Sequence, residues 1–196
     1  MSRFVRAETP NFDDCRKYRP FLRRDFRQLC AYCERSEAGL GGEESFEIDH
    51  FRPSWKFPEL DTHYPNLYYA CRKCNLHKSG TWPLDGLLIR GFRFADPCEE
   101  DMYVEHLRES SDGRLEPRTA CGQYTRDHIR LNRWDLLRWR QLRHEIAVEL
   151  RRLESLKKFL GDMLTTITDT VIKDDIREHL VAIEAMIVRG REQFSL

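Results

Sequence analysis

The chain has 196 residues, with 33 basic and 33 acidic side chains and a formal net charge of zero. A net charge of zero excludes a strong global attraction to nucleic acid, although a local basic face can still steer an anionic ligand. Hydrophobic residues make up 40% of the chain, which is enough for a core, and the 34% of charged residues predicts much solvated helix surface. No apolar run approaches the roughly 18 residues that span a bilayer. Because the first residues also lack the apolar stretch of a signal peptide, we expect a cytoplasmic protein.

The first half of the chain predicts short elements. Residues 1–29 combine basic and aromatic side chains, and they predict one helix from about Pro20 into the first cysteine pair. Residues 46–51 alternate apolar and polar side chains, as a short strand does. Residues 67–80 predict a strand that turns into a short helix, which ends at a glycine.

The second half predicts a hairpin and two long helices. A β-hairpin with a glycine-containing turn is expected within residues 84–124. From Thr125, which is a plausible N-cap, two amphipathic patterns predict a pair of helices. Gly161 and Gly190 are expected to mark the ends of these helices.

The cysteines predict a metal site. There are seven, and an odd number argues against a framework of disulfides. Four of them form two C-x-x-C pairs, and each pair makes a tight turn that lets both sulfurs reach one ion. Four thiolates complete a tetrahedral structural zinc site and leave no open position. The alternative is four ordinary buried or redox-active thiols. The predicted zinc ligands are Cys30, Cys33, Cys71 and Cys74.

The segment between the two cysteine pairs carries polar side chains suited to catalysis. Its first strand delivers Asp49 and His50. Asn75 and Lys78 come directly after the second cysteine pair, at i and i+3 on one face of the predicted short helix. Histidine titrates near neutral pH and can accept a proton from water. A carboxylate and an amide oxygen suit Mg²⁺ or Mn²⁺, and Lys78 is placed to meet a phosphate.

The motifs CAYC, EIDHFRP, NL and CRKCNLHK together resemble the HNH nuclease, or ββα-metal, motif in its zinc-stapled form over residues 30–80. The resemblance implies that His50 is the general base and that Asp49 and Asn75 bind a divalent cation. It also implies that Asn66 braces the loop and orients the histidine. The chain has Asn75 where the name-giving pattern has histidine, so it is similar to the HNN variants and its preferred metal stays open.

These patterns predict an α+β fold with a ββα-metal core and a four-cysteine zinc site, followed by a helical C-terminal region. We expect a nuclease core with a basic N-terminal helix over residues 1–83 and a connector over 84–124. The helical region, 125–196, would contact a partner or DNA.

Four further side chains are candidates for binding nucleic acid. Arg52, Trp55 and Lys56 follow the catalytic strand and could contact phosphate or stack on a base. The alternative is that Trp55 packs within the loop and the charges are solvated. His77 is a weaker candidate, because it lies two positions from Asn75 and should face elsewhere on the helix.

The expected function is a metal-dependent endonuclease that hydrolyses phosphodiester bonds of double-stranded DNA with little sequence preference. The whole pattern is also similar to the nuclease subunit of Septu-type bacterial anti-phage systems, which implies an ATPase partner bound by the C-terminal helices. Two alternatives stay open. One is a non-catalytic zinc module that binds nucleic acid or protein, and the other is an RNA-cleaving HNH toxin.

Overall fold

The computed structural model describes residues 3–9 and 11–194. It has an α+β fold that divides into two compact units, Met1–Arg138 and Trp139–Leu196. The first unit holds the strands, the cysteine cluster and the main hydrophobic core, and the second is helical. Among the described helices, none is both long enough and apolar enough to cross a membrane.

The centre of the first unit is a strand–loop–strand–helix arrangement. Strand β1 (Phe46–His50) pairs antiparallel with β2 (Leu67–Cys71), in a register that sets His50 opposite Leu67. Every residue of β2 is buried, as its apolar sequence requires. Helix α2 (Arg72–Lys78) follows β2 without a connecting loop. The predicted order of elements is therefore confirmed.

Helix α1 (Arg19–Asp25) lies beside β2 and contributes Leu22 to the core. The prediction that this helix continues into the first cysteine pair is wrong. Arg27 and Gln28 have positive φ angles of 53° and 59°. Two consecutive residues in the left-handed region cannot continue a right-handed helix, so the chain turns before it reaches the cysteines.

The connector contains helix α3 (Asp85–Ile89), a π-helical turn at Met102–His106, and the predicted hairpin. The hairpin strands, β3 (Leu107–Glu109) and β4 (Leu115–Pro117), are only three residues long, and Gly113 adopts a φ of 81° in the turn between them.

Helix α4 (Ala120–His128) precedes the first long helix and corrects the predicted N-cap. Thr119 caps α4 by accepting a hydrogen bond from the backbone N–H of Gly122 at 3.0 Å. Thr125 is buried within α4, where its hydroxyl accepts from the backbone N–H of Ala95 at 2.8 Å. The capping threonine is therefore Thr119, which comes earlier in the chain than the sequence pattern indicated.

The two long helices are α5 (Trp134–Thr166) and α6 (Thr170–Phe194). The predicted pair of helices is confirmed, and within residues 139–194 they share a small core of Leu150, Ile183 and Ile187. The predicted helix ends at Gly161 and Gly190 are wrong, since both glycines lie inside helices. At Gly190 a Cβ would lie 2.9 Å from Leu150 Cδ2, so this glycine serves close helix packing rather than termination.

Candidate active site and zinc centre

The four predicted zinc ligands converge. All four cysteines of the two C-x-x-C pairs are buried, and their sulfur atoms all lie within 4.8 Å of one another. The Sγ atoms of Cys33 and Cys71 are 3.8 Å apart. Two sulfurs bound tetrahedrally at about 2.3 Å from one zinc ion would be separated by about the same distance. The cluster is therefore consistent with structural zinc.

Burial and neighbouring thiols shift the pKa values of three of the cysteines in opposite directions. Burial raises the pKa of Cys30 and of Cys74, because a thiolate loses solvation there. Hydrogen bonds from the Cys30, Cys33 and Cys74 thiols lower the pKa of Cys71. The buried site thus favours a thiolate at Cys71, and binding of zinc by Cys30 and Cys74 would release their protons.

The four-cysteine cluster joins the first knuckle, which is the turn formed by Cys30 and Cys33, to the end of β2. Cys71 is the last residue of β2, and Cys74 lies in the first turn of α2. The backbone N–H of Ala31 donates to the carbonyl of Tyr69 at 2.8 Å, which fixes the first knuckle against β2. The cysteine cluster therefore lies where α2 leaves the sheet.

Arg133 contacts the cysteine cluster from outside. Its Nη2 donates to Cys74 Sγ at 3.3 Å, and Asp135 Oδ1 lies 3.1 Å from its Nε. Burial alone would lower the pKa of Arg133, but Cys74 and Cys33 raise it above its usual value, so the guanidinium stays charged beside the sulfurs.

We expect Arg133→Ala to weaken zinc binding about tenfold, because partners of metal ligands typically contribute a factor of this size. The rate at which zinc transfers from the protein to a colorimetric chelator measures the effect. Arg133→Lys keeps the charge and should recover part of the loss, while Arg108→Ala, on the exposed hairpin, should release zinc at the wild-type rate. Equal release rates for all of these proteins would remove Arg133 from the zinc site.

His50 ends β1 and is held by the loop that follows it. Its Nε2 lies 2.9 Å from the backbone oxygen of Asp61 and 3.2 Å from the Oδ1 of the same residue. A carbonyl oxygen can only accept a hydrogen bond, so the proton of neutral His50 belongs on Nε2. Nδ1 is then the unprotonated nitrogen, which is the atom that a general base requires.

Asn66 fastens the two ends of that loop. Its Oδ1 accepts from the backbone N–H of Arg52 at 2.8 Å, and its Nδ2 donates to the carbonyls of Arg52 and Leu60 at 3.0 and 3.3 Å. Leu60 immediately precedes Asp61, the residue that contacts His50. This buried amide is therefore placed to act on the histidine through the loop backbone.

Asp49 is almost completely buried, with 4% of its surface exposed. Its Oδ2 accepts from the Tyr32 hydroxyl, and its Oδ1 accepts from Lys78 Nζ at 3.0 Å. Burial, and then the charge of Asp49, raise the pKa of Tyr32 well above its usual value, so the phenol remains a donor.

Lys78 is fully buried and makes two contacts with β1. Besides Asp49, its Nζ donates to the backbone oxygen of His50 at 2.8 Å. The ammonium group therefore ties α2 to the two catalytic-strand residues that the sequence singled out. Contact between Lys78 and a phosphate stays a prediction.

Asn75 faces the same strand from α2. Its Nδ2 donates to Glu47 Oε2 at 2.8 Å, and Glu47 Oε1 accepts from Arg72 Nε at 3.1 Å. With the amide nitrogen fixed by Glu47, the Oδ1 of Asn75 is the atom left for a cation. A carboxylate and an amide oxygen form the kind of donor set that Mg²⁺ and Mn²⁺ bind.

A cavity of about 590 Å³ brings these groups together. It opens between β1, the turn after β1, and α2. The base predicted from the sequence and both predicted cation ligands therefore share one opening. The lining includes Glu47, Asp49, His50, Trp55, Arg72 and Asn75.

Of the predicted nucleic-acid contacts, Trp55 lines this cavity with His50, and the other three lie elsewhere. Arg52 and Lys56 are exposed and lie near the ring of Phe57, at 5.7 and 5.9 Å from its centroid. Burial, and then the nearby arginines 133 and 130, lower the pKa of His77. His77 therefore lies on the side of α2 that faces Arg133.

Sequence reasoning missed Glu47, Tyr32 and Asp61. Glu47 was within reach, because it lies two residues before Asp49 on a strand and so shares its face. Tyr32 is an ordinary aromatic residue inside a knuckle, and Asp61 lies in an irregular loop. Neither carries a periodic signal, so their contacts become visible only in three dimensions.

A second cluster, Glu100, His106 and Cys121, has ligand atoms within 4.8 Å of one another. Arg93 Nη2 and His106 Nε2 contact Glu100 Oε2 at 2.7 and 2.9 Å. Burial would raise the pKa of Glu100, but these partners outweigh it and lower the pKa to about 2. Because the carboxylate is already saturated by cationic and N–H donors, we assign this cluster a structural role.

Residues 30–81 match the family model described as HNH endonuclease. No significant match was found among curated proteins or among solved structures. The matched segment contains both cysteine knuckles, β1, β2 and α2. The chain therefore carries an HNH endonuclease domain, which confirms the resemblance over this part of the sequence.

Proposed function

We propose that the protein is a metal-dependent endonuclease that hydrolyses phosphodiester bonds of DNA. The observation that carries this proposal is the meeting of His50, Asp49 and Asn75 at one cavity within the HNH domain. The histidine has its Nε2 held by Asp61, and the other two residues offer oxygen donors beside it.

In this proposal His50 Nδ1 accepts a proton from a water molecule as the water oxygen attacks phosphorus. The bond from phosphorus to the 3′ oxygen breaks, and that oxygen takes a proton from a solvent water molecule, which leaves a 5′ phosphate and a 3′ hydroxyl. His50 later returns its proton to solvent. The Asp61 carbonyl accepts from Nε2 throughout, and its carboxylate Oδ1, 3.2 Å from that atom, favours the imidazolium that forms.

Asp49 and Asn75 would hold the divalent cation, Mg²⁺ or Mn²⁺. When bound, such an ion neutralises charge on the phosphate and on the leaving oxygen. Tyr32 and Lys78 fix the Asp49 carboxylate through one lone pair of each oxygen. Each carboxylate oxygen has a second lone pair, so these bonds are compatible with a ligand role.

Nicking of supercoiled plasmid by the purified chain tests the proposal. Cutting is expected with Mg²⁺ or Mn²⁺ and is expected to stop in EDTA. Matched DNA and RNA duplexes should be compared in parallel, and cutting of RNA alone would favour the toxin alternative. Binding of DNA without cutting, with every cation and with any partner added, would favour the non-catalytic zinc module.

Glu47 should act by orienting Asn75. We expect Glu47→Ala to weaken Mn²⁺ binding by about tenfold, because the amide of Asn75 loses the acceptor that fixes it. Glu47→Gln keeps an acceptor oxygen and should stay within about threefold of wild type. Mn²⁺ titration followed by electron paramagnetic resonance separates the two. A loss in Glu47→Gln as large as in Glu47→Ala would make the charge of Glu47, not its hydrogen bond, the important property.

We further propose that the nuclease serves a bacterial anti-phage system together with an ATPase partner that restrains it. The support is the resemblance of the whole pattern to Septu-type nuclease subunits, and the need to keep an unselective nuclease from the host genome. Helices α5 and α6 would bind the partner. The first test is whether an ATPase gene adjoins the nuclease gene, and its absence would contradict this role. Where one is present, nicking rates are compared with and without that ATPase, and identical rates together with no complex formation would also contradict the role.

A further inference from the structure

Trp55 is an exposed indole at the catalytic cavity. It lies at the tip of a turn after β1, and 70% of its surface is exposed. It lines the same cavity as His50 and Asn75, and so does Leu76 of α2, which is also largely exposed. Two large apolar side chains are thus exposed at this cavity.

The indole is held in place rather than free to move. Its Nε1 donates to the backbone oxygen of Gly80 at 2.7 Å. The turn below it is closed by backbone N–H groups of Lys56 and Phe57, which both donate to the carbonyl of Pro53 at 3.0 Å. A rigid aromatic ring loses little conformational entropy when a ligand stacks on it.

Gly80 allows the Trp55 ring to pack closely against the backbone. A Cβ at position 80 would lie 3.0 Å from Trp55 Nε1 and 3.1 Å from Cδ1, which is tighter than ordinary contact. The glycine therefore allows the indole to lie against the end of α2. The indole N–H already donates to Gly80, so the part of the side chain that remains for a ligand is the apolar ring face.

We propose that Trp55 stacks on an unpaired base beside the scissile phosphate, so that DNA with an unpaired base is bound and cut in preference to intact duplex. This inference rests on the proposed nuclease function. In an intact duplex both faces of each base are already stacked, whereas an unpaired base offers a free face to an aromatic side chain. The ring lies on the cavity that holds the general base, which places the stacked base next to the reacting phosphate.

The test uses two DNA duplexes that differ by one bulged 2-aminopurine, bound to the His50→Ala protein so that no cutting occurs. We expect the His50→Ala protein to quench the fluorescence of the bulged 2-aminopurine. The double variant His50→Ala/Trp55→Ala should bind the bulged duplex about tenfold more weakly than His50→Ala. Binding of the intact duplex should not change. Trp55→Phe should stay within about threefold, since it keeps an aromatic face, and Gly80→Ala should weaken bulge binding by displacing the indole.

Trp134→Ala is the matched control. Trp134 is 78% exposed but does not line the cavity, so its loss should leave both affinities unchanged. Equal preference for the bulged duplex in the proteins with and without Trp55 would overturn the inference. Plasmid nicking by the wild-type protein is scored separately. Normal nicking without a Trp55 effect on bulge binding leaves the nuclease and rejects the stacking. A Trp55 effect on bulge binding without nicking, with every cation and any partner supplied, leaves the stacking and rejects the nuclease.

Discussion

Replacing His50 with alanine is expected to slow plasmid nicking by a factor of about 10² to 10⁴, which is the usual contribution of a positioned general base. The structure makes this histidine suited to the role, because in the neutral ring the hydrogen bond from Nε2 to the Asp61 carbonyl leaves Nδ1 as the proton acceptor. The loss should appear as a lower rate at saturating DNA, while DNA affinity changes little. Initial rates over a range of DNA concentrations separate the two.

The control for this variant is His63→Ala. His63 belongs to the same loop, is exposed, and lines a different cavity. The nicking rate of His63→Ala should therefore match that of the wild type. Both variants should retain zinc and the wild-type melting temperature, since neither ring is part of the hydrophobic core. Equal nicking by His50→Ala and wild type would remove the histidine from the mechanism.

The sequence predicts the ββα unit well because its signals are local. Two C-x-x-C pairs fix the ends of the motif, and the alternation in residues 46–51 predicts the strand that the structure ends at His50. The order of elements then follows, since α2 begins immediately after Cys71. The cysteine cluster could be predicted for the same reason, because tetrahedral coordination of one zinc ion requires four sulfurs to lie close together.

Other features depend on contacts between distant segments. The position of Asp61 beside His50 is set by Asn66, which bonds Arg52 and Leu60 across an irregular loop. Nothing in the residue types of that loop encodes which carbonyl meets the imidazole.

Lys78 shows a similar limit. Its helical spacing from Asn75 predicted a shared face, but helix geometry does not reveal that its ammonium group is buried against Asp49. The predicted helix end at Gly190 was wrong for another reason. The sequence does not distinguish a glycine that ends a helix from one that lets two helices pack closely.

Removing the zinc is expected to unfold the HNH domain. The cysteine cluster joins the first knuckle to β2 and α2, and within the described residues the β1–β2 sheet has no third strand to stabilise it. Structural zinc contributes about 10–16 kcal/mol in zinc-finger peptides, which matches or exceeds the total stability of a typical domain, about 5–15 kcal/mol. We therefore expect Cys71→Ser to bind little zinc and to lose nicking activity completely.

Metal content, limited proteolysis and circular dichroism together measure this effect. In Cys71→Ser we expect rapid cleavage within residues 30–81. The helical hairpin of residues 139–196 has its own small core around Leu150 and Ile187, so much of the helical signal should remain. Loss of only part of the ellipticity would show that the two units depend differently on the metal.

Cys15→Ser is the matched control for the zinc variant. Cys15 is half-buried and lies outside the four-cysteine cluster, so its replacement should leave zinc content near one ion per chain and leave nicking unchanged. His50→Ala should also keep its zinc, which separates loss of chemistry from loss of fold. If Cys71→Ser kept a protease-resistant domain without bound metal, the hydrophobic core around β2 would be sufficient for folding, and the cysteines would need another explanation.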